Sequence, residues 1–348
     1  MVDFEQYSKE FRILAQESDY PEEAIVEKLD YAEKLNNQNL PIIFDQYHLS
    51  LLVGYDYDYL LAVANAQRMF YRHYTIPKKS GGERHIEEPM PALKEIQEWI
   101  LINILNPASK RYVSPVAKAF IPGKSLKENA RFHRNRRQVV ALDLKDFFGS
   151  VKFGPVYGVF IKLGYTVSVA VMLTKLCMMR GSLPQGAPTS PMLSNLIFYD
   201  CDTKIFHYCR SRNIMYTRYA DDLTFSGDDL KVNDLISYVK LLLAPKRLYL
   251  NEKKTKVMGK GCRQMVTGVV VNSKLQVSKQ YRNKVRQEVY YCIKYGIVGH
   301  VQHAEKPQWI TKPEHYRNYL IGKLRFILQI NPQDTEFVRY LDWLKNCL

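Results

Sequence analysis

The chain has 348 residues, 46% of them hydrophobic, with 50 Lys and Arg against 35 Asp and Glu, a net charge of +15. Such a chain can bury a large core, and it is neither a low-complexity nor a membrane-spanning sequence, since no apolar run approaches the ~20 residues a bilayer requires. The excess of cations points to a polyanionic partner.

Residues 1–50 read as helical, with Pro21-Glu22-Glu23 at a helix start and an apolar stripe through Ala24, Leu29, Ala32 and Leu35. Residues 1–45 hold four Lys/Arg against eleven Asp/Glu, or −7, which leaves 46 against 24, or +22, for the remainder. An acidic segment is a poor surface for nucleic acid and a better one for a protein, although solvated helix faces are often charged as well. A second helical region is expected over residues 50–73. Residues 74–86 then read as a β-hairpin, with Ser80-Gly81-Gly82 at the bend and basic residues on both arms. Residues 92–105 have the period of an amphipathic helix. Lys124, Lys127, Arg131, Arg134, Arg136 and Arg137 form a basic cluster opposed only by Glu128. It is either a solvated face or a contact with the phosphates of a polyanion.

Residues 138–144 (QVVALDL) are a short β-branched run consistent with a buried strand, with Asp143 near its end and Lys145-Asp146-Phe147-Phe148 following. A lone Asp there is most simply a cap or turn residue. Residues 183–191 (LPQGAPTSP) form a stiff, extended loop whose Ser190-Pro191 opens a helix with Leu193, Ile197, Cys201 and Ile205 on one face. Two β-like runs, 214–218 and 223–226, flank Tyr219-Ala220-Asp221-Asp222, a strand–turn–strand pattern. Neighbouring aspartates repel and raise each other's pKa, and a hard divalent cation removes that penalty. Alone, such a turn is commonly just solvated. With Asp143 as a third carboxylate it would form a two-metal site for attack of a hydroxyl on a phosphate. A further β-like run covers residues 266–271. Residues 281–295 then mix cations and tyrosines on a helical pattern, where cations neutralise phosphates and tyrosines either stack on bases or fill the helix core. Residues 316–328 read as one more helix. The six cysteines and eight histidines lack metal-ligand spacing, and no signal peptide is evident, so reduced thiols in a cytoplasmic protein are expected.

Taken in order, the DxxxxF segment at Asp143–Phe148, the LPQGxxxSPxLSN loop at 183–195, the YADD turn and Leu250-Asn251-Glu252-Lys253-Lys254-Thr255 resemble the palm motifs of reverse transcriptases. Asn129-Ala130-Arg131-Phe132-His133 and Val266-Thr267-Gly268 match the NAxxH and VTG patterns of the bacterial retron branch. The resemblance runs from about Tyr74 onward. It implies an α+β, right-hand polymerase fold. An N-terminal helical extension would cover residues 1–50, and fingers 51–137 with part of 151–190. The palm, an antiparallel sheet flanked by helices, would cover 138–272, and a small helical thumb 273–348.

The resemblance also assigns roles. Asp143, Asp221 and Asp222 would be catalytic and, with Leu144, would hold two Mg²⁺ ions, for which Mn²⁺ could substitute. Lys79, Arg84, Phe148, Gln185, Gly186 and Lys254 would meet the incoming deoxynucleotide, Phe148 as the gate that refuses a ribose hydroxyl. Tyr219, Asn129, His133, Arg134, Arg136 and Arg137 would meet primer and template. Val266, Thr267, Gly268, Arg282, Lys284 and Arg286 would meet RNA. The implied partners are a cognate noncoding RNA that is template and primer, the RNA-linked DNA made from its 2′-hydroxyl, dNTPs, an effector protein of antiphage defence and host RNase H, with no membrane.

Three other readings share some of these residues. A group II intron reverse transcriptase has the same palm but a longer thumb, whereas 76 residues follow Asn272 here. A diversity-generating element departs from the QGxxxSP form that is kept at 185–191. A scaffold that holds an effector on RNA and DNA would need the surface more than the catalysis.

Overall fold

The acidic stretch folds into helices Phe4–Glu17, Glu22–Asn36 and Gln46–Val53 in a computed structural model that describes residues 3–78, 81–303 and 312–347. The Asp3 carboxylate caps the first by accepting from the amides of Glu5 and Gln6. That helix buries no residue, whereas the second buries Ile25, Leu29, Ala32 and Leu35. The helical region expected over 50–73 is shorter. Helix Tyr57–Asn65 is followed by the 3-10 turn Gln67–Phe70, and strand β1 (Tyr71–Pro77) starts at once. There the β-forming run YRHYTI outweighs the helical period. β1 pairs antiparallel with β2 (Glu83–Pro89), with Gly81 and Gly82 at positive φ in the bend. The amphipathic helix Pro91–Ile100 continues past its expected end, through a π turn Leu101–Leu105 into helix Asn106–Tyr112. Pro107 cannot donate to the preceding turn, and the π turn lies where the ladder must adjust.

The chain divides into two compact units. The first comprises Met1–Ile121, Leu144–His207 and Ser237–Leu250. Its core draws Leu49, Leu60, Ile96, Phe160, Leu173 and Leu193 from helices distributed along that chain. Helix Ser190–Arg210 starts where Ser190-Pro191 predicts, and Leu193, Ile197, Cys201 and Ile205 are all buried.

The second unit comprises Pro122–Asp143, Tyr208–Ile236 and Asn251–Leu348. Strands β3 (Gln138–Asp143), β4 (Met215–Tyr219), β5 (Asp222–Gly227) and β6 (Lys256–Gly259) form an antiparallel sheet in the order β4-β5-β3-β6. The expected run over 266–271 is instead a tight hairpin of β7 (Met265–Val266) and β8 (Val269–Val270), to which β9 (Gln276–Val277) is added. Thr267 and Gly268 both take positive φ and turn the chain back. Helices Lys279–His303, Pro313–Ile330 and Thr335–Asn346 follow, the first kinked at Gly296. Val139 of β3, Val266 and Val269 of the hairpin, and Val285, Leu324 and Phe337 of the three helices belong to one core. Each fully buried side chain of this size contributes on the order of 2 kcal/mol.

A buried histidine ties the sheet together. His133 is wholly inaccessible, with Nδ1 2.8 Å from Ser226 Oγ on β5 and Nε2 2.7 Å from Thr217 Oγ1 on β4. Burial first, then the neighbouring Arg136 charge, pushes its pKa down to about 3. The unfolded chain therefore takes up this proton first, and the contribution to stability present at neutral pH is lost as pH falls below about 6.5. Between pH 7 and pH 5 this linkage removes about 2 kcal/mol of unfolding free energy. His133→Gln, which has no proton to gain, should lose about 2 kcal/mol less than the parent over that interval in urea titrations. Equal losses in both proteins would refute the assignment.

Candidate active site

The β3–β5 register sets the site. Asp143 lies opposite Asp222 as the last pair of that ladder, and Tyr219 closes β4–β5 opposite the same Asp222. Cross-strand partners stand ~5 Å apart and project to one face, so pairing of apolar strands forces two carboxylates together and leaves Asp221 beside them in the turn. The connection is a two-residue turn in which Ala220 adopts φ +57, a conformation costly for any residue but glycine. Arg218, fully buried, donates from Nη1 to the Ala220 carbonyl at 3.1 Å and holds that turn.

The three carboxylates share one electrostatic environment. Burial first, then the charges of Asp221 and Asp143, raise the Asp222 pKa to about 6 against the lowering by Lys254 and Lys256. Lys254 Nζ donates to Asp143 Oδ1 at 2.8 Å, and that hydrogen bond raises the lysine pKa. Among the described residues no three His, Cys, Asp or Glu side chains already stand as a closed metal cage. The donor set nonetheless fits a hard divalent cation: carboxylate oxygens only, mutually repelling, on one strand end and one turn. Asp143 and Asp222 border a cleft of about 540 Å³ that also meets Lys254, Lys256, Arg263, Thr267 and Gly268.

The nucleotide residues expected from the loop motifs lie in the first unit. Phe148 is half-buried, its ring 5.2 Å from Phe147, which itself packs on Phe198. The amide of Glu87 on β2 donates to the Gln185 carbonyl at 3.0 Å. Gly186 has φ +146, and a Cβ there would lie 2.7 Å from the Glu87 carbonyl oxygen. Its glycine is required by close approach of the hairpin backbone. Leu144 has a buried side chain and bridges to Leu250, so only its carbonyl could serve a cation. Arg84 is exposed on β2, and Lys79 lies outside the described residues.

Several expected contacts with nucleic acid are corrected. Asn129 and His133 are buried, so neither side chain is a surface for template or RNA, whereas Val266, though buried, lines the cleft of Asp143 and Asp222. Asn129 Nδ2 donates to Thr267 Oγ1 at 3.3 Å, which joins the two short signatures to each other. Arg282 pairs with Asp334 at 2.6 Å, and Arg286 is bidentate to Glu336, with Nη2 to Oε2 at 2.8 Å. Both guanidiniums lie over the Phe337 ring. They fasten two helices to each other. Arg134, Arg137, Gly268 and Lys284 remain exposed. Arg136 and Thr267 are partly so. Sequence reasoning missed Arg218, Arg263 and Lys256, whose only signal was a cation near an aspartate or a strand. Cys177, Cys201, Cys209 and Cys292 are buried and form no disulfide, and no described helix is long and apolar enough to cross a membrane.

Residues 76–270 match the reverse transcriptase (RNA-dependent DNA polymerase) family. The chain is 34% identical to the retron Ec86 reverse transcriptase of Escherichia coli, across 77% of this chain and 85% of that protein. It is 36% identical to the retron Mx65 reverse transcriptase of Myxococcus xanthus, across 76% of this chain and 63% of that protein. Among solved structures, apo telomerase from Candida tropicalis truncated from its C-terminal domain aligns with a TM-score of 0.45 and 14% identity, over 61% of this chain and 55% of that one. A likeness that distant adds nothing to the argument.

Two substitutions probe this geometry. Gly186→Ala should cost about 2–4 kcal/mol, because a backbone oxygen cannot move aside as a side chain does. Urea unfolding measures it, and a loss under about 0.5 kcal/mol would show that the hairpin does not need this approach. Asp222 is destabilising when ionised, since its folded pKa lies above the unfolded value, so that cost appears as pH rises from about 4 through about 6. In chelator at pH 7.5, Asp222→Asn should stabilise the chain by about 1–2 kcal/mol after solvent screening while abolishing polymerisation. Calorimetry showing a lower Tm for the variant would contradict the crowded-carboxylate account.

Proposed function

The chain belongs to the retron reverse transcriptases and is an RNA-directed DNA polymerase, and from that premise we propose that it copies part of a cognate structured noncoding RNA, beginning at a 2′-hydroxyl of that RNA, into branched RNA-linked DNA (msDNA). The observation that supports this most is the placement of Asp143 opposite Asp222 at the end of a buried ladder, with Asp221 in the adjoining turn. A priming hydroxyl attacks the α-phosphate of a deoxynucleotide, the new O–P bond forms, and pyrophosphate leaves with the old one. Two Mg²⁺ ions, or Mn²⁺ in their place, would activate the hydroxyl and neutralise the leaving group when bound to Asp143, Asp221 and Asp222, with the Leu144 carbonyl beside them.

The remaining work falls to this chain's own groups. Asp143 and Asp222 concentrate negative charge where cations must sit. Lys254, held protonated by its raised pKa, turns from Asp143 to the triphosphate and delivers a proton to the departing pyrophosphate. Phe148 sets a flat ring against C2′ of the sugar, and Gln185 and Gly186 shape the same pocket. Lys79 and Arg84 supply cations to the phosphates, and Tyr219 packs by the primer end. Arg134, Arg136, Arg137 and Lys284 hold phosphates of the RNA and its copy, a grip that weakens steeply with salt. Fingers, palm and thumb are the parts we assign to residues 51–137, 138–272 and 273–348. Cytoplasmic action, antiphage defence with a separate effector protein, and trimming of the template by host RNase H complete the proposal.

The test is to express the chain with its native flanking locus and run the copurified nucleic acid on a denaturing gel, with and without RNase. A discrete DNA that shortens on RNase treatment, and is missing when Asp221 and Asp222 are both changed to Asn, is expected. Copying of primed RNA templates without any RNA-linked DNA would leave the polymerase in place and defeat the msDNA reading.

A further inference from the structure

Phe120 is the least comfortable aromatic residue in the first unit. Its φ of +61 places a bulky side chain in the left-handed region, where non-glycine residues other than Asn, Asp and His seldom stand. Strain of this kind persists only where surrounding structure imposes it, and it gathers at ligand clamps and active sites. Core packing does not account for it, because the ring remains 43% exposed. The constraint comes from the neighbouring residue. Asn195, fully buried on helix Ser190–Arg210 at the end of the LPQGxxxSPxLSN motif, donates from Nδ2 to the Ala119 carbonyl at 2.9 Å.

That anchor delivers the Phe120 ring to one place. Its centroid lies 6.4 Å from that of Phe148, the planes tilted by 45°. Phe148 also meets Phe147 at 5.2 Å, and Phe147 rests on Phe198 at 5.4 Å. The gate ring therefore contacts both a buried aromatic stack and one exposed, strained ring. A gate that discriminates by excluding a single hydroxyl must not tilt or retreat, since a small displacement makes room for the oxygen.

We propose that Phe120 is a second determinant of sugar selection, a positioning residue that acts through Phe148 by fixing the tilt of its ring. This rests on the gate role proposed above for Phe148. Removing the Phe120 ring takes away one contact of the gate and leaves its contact with Phe147 in place. Deoxynucleotide incorporation should thus be nearly unchanged while ribonucleotide incorporation rises. A residue with only a structural role would slow both substrates alike.

The experiment is single-nucleotide extension on a primed RNA template with the full chain, comparing kcat/KM for dTTP and for UTP. Phe120→Ala should lower the dTTP-over-UTP preference about tenfold or more, with kcat/KM for dTTP kept within about threefold. Phe120→Tyr should restore the preference, and Phe120→Leu, which keeps apolar bulk against the fold, should fall between. Phe148→Ala is the internal reference. If it relaxes selection while Phe120→Ala and Phe120→Leu keep the parent ratio, the proposal for Phe120 is wrong and the gate stands. If Phe148→Ala itself leaves the ratio unchanged, the gate reading fails and this inference fails with it. Equal loss of both substrates in Phe120→Leu would mark the residue as structural and overturn the proposal.

Discussion

Like charges held together by an apolar ladder are the constraint around which the second unit is built. Val139, Val140 and Leu142 on β3, with Leu223 and Phe225 on β5, are buried, and their register leaves no choice about the last pair, Asp143 opposite Asp222. Val139 and Val140 are consecutive and both buried, so β3 is covered on both faces, and a one-residue slip would exchange the side chains packed on each. The hydrophobic effect thus supplies the free energy that keeps repelling carboxylates in place. The pKa of Asp222 is raised to about 6 by burial first and then by the charges of Asp221 and Asp143, which is the sign of the opposing cost. Lys254 on Asp143 relieves part of it, as a cation at the same oxygens would.

The same sheet must resist the repulsion at its end, and the buried polar groups behind the turn serve that need. His133 spans β4 and β5 through Thr217 and Ser226, and Arg218 holds the strained Ala220 carbonyl. With these groups buried, leaving any one of them unpaired would be costly, so each hydrogen bond also specifies the hairpin geometry. The Asn129–Thr267 contact extends the bracing to the β7–β8 turn, whose Thr267 and Gly268 border the cleft of the carboxylates. Two short signatures far apart in sequence are thereby parts of one support.

Periodicity and turn chemistry were legible before any coordinates. The β3 run, the Tyr219–Asp222 turn, the Ser190-Pro191 helix start and the stripe of Leu193, Ile197, Cys201 and Ile205 all depend on local spacing, and local spacing is what a sequence displays. The rest has a shared physical cause. The resemblance assigns His133, Asn129, Arg282 and Arg286 to primer, template or RNA, but their burial and pairing are set by the fold. Whether a partner lies within reach depends on residues 50 to 138 positions away, such as Asp334, Glu336, Ser226 and Thr267. Val266–Val271 misled for the opposite reason. Its β-forming residues are evident, but the turn at Thr267 requires positive φ from a threonine, against its preference.

The hydrophobic core of the second unit gives the C-terminal helices a part in this arrangement. Val139 begins on the strand that ends at Asp143, and it shares a core with Val285, Leu324 and Phe337 of the three helices. Interiors packed at crystal-like density transmit displacement rather than absorb it. The Arg282–Asp334 and Arg286–Glu336 pairs then lock the first of those helices to the third, with Phe337 beneath both guanidiniums. Pairs of this kind contribute little net stability for their charge, but they fix geometry. Helix Lys279–His303, whose Lys284 and Tyr290 are exposed, is therefore joined through one continuous core to the strand that ends at Asp143.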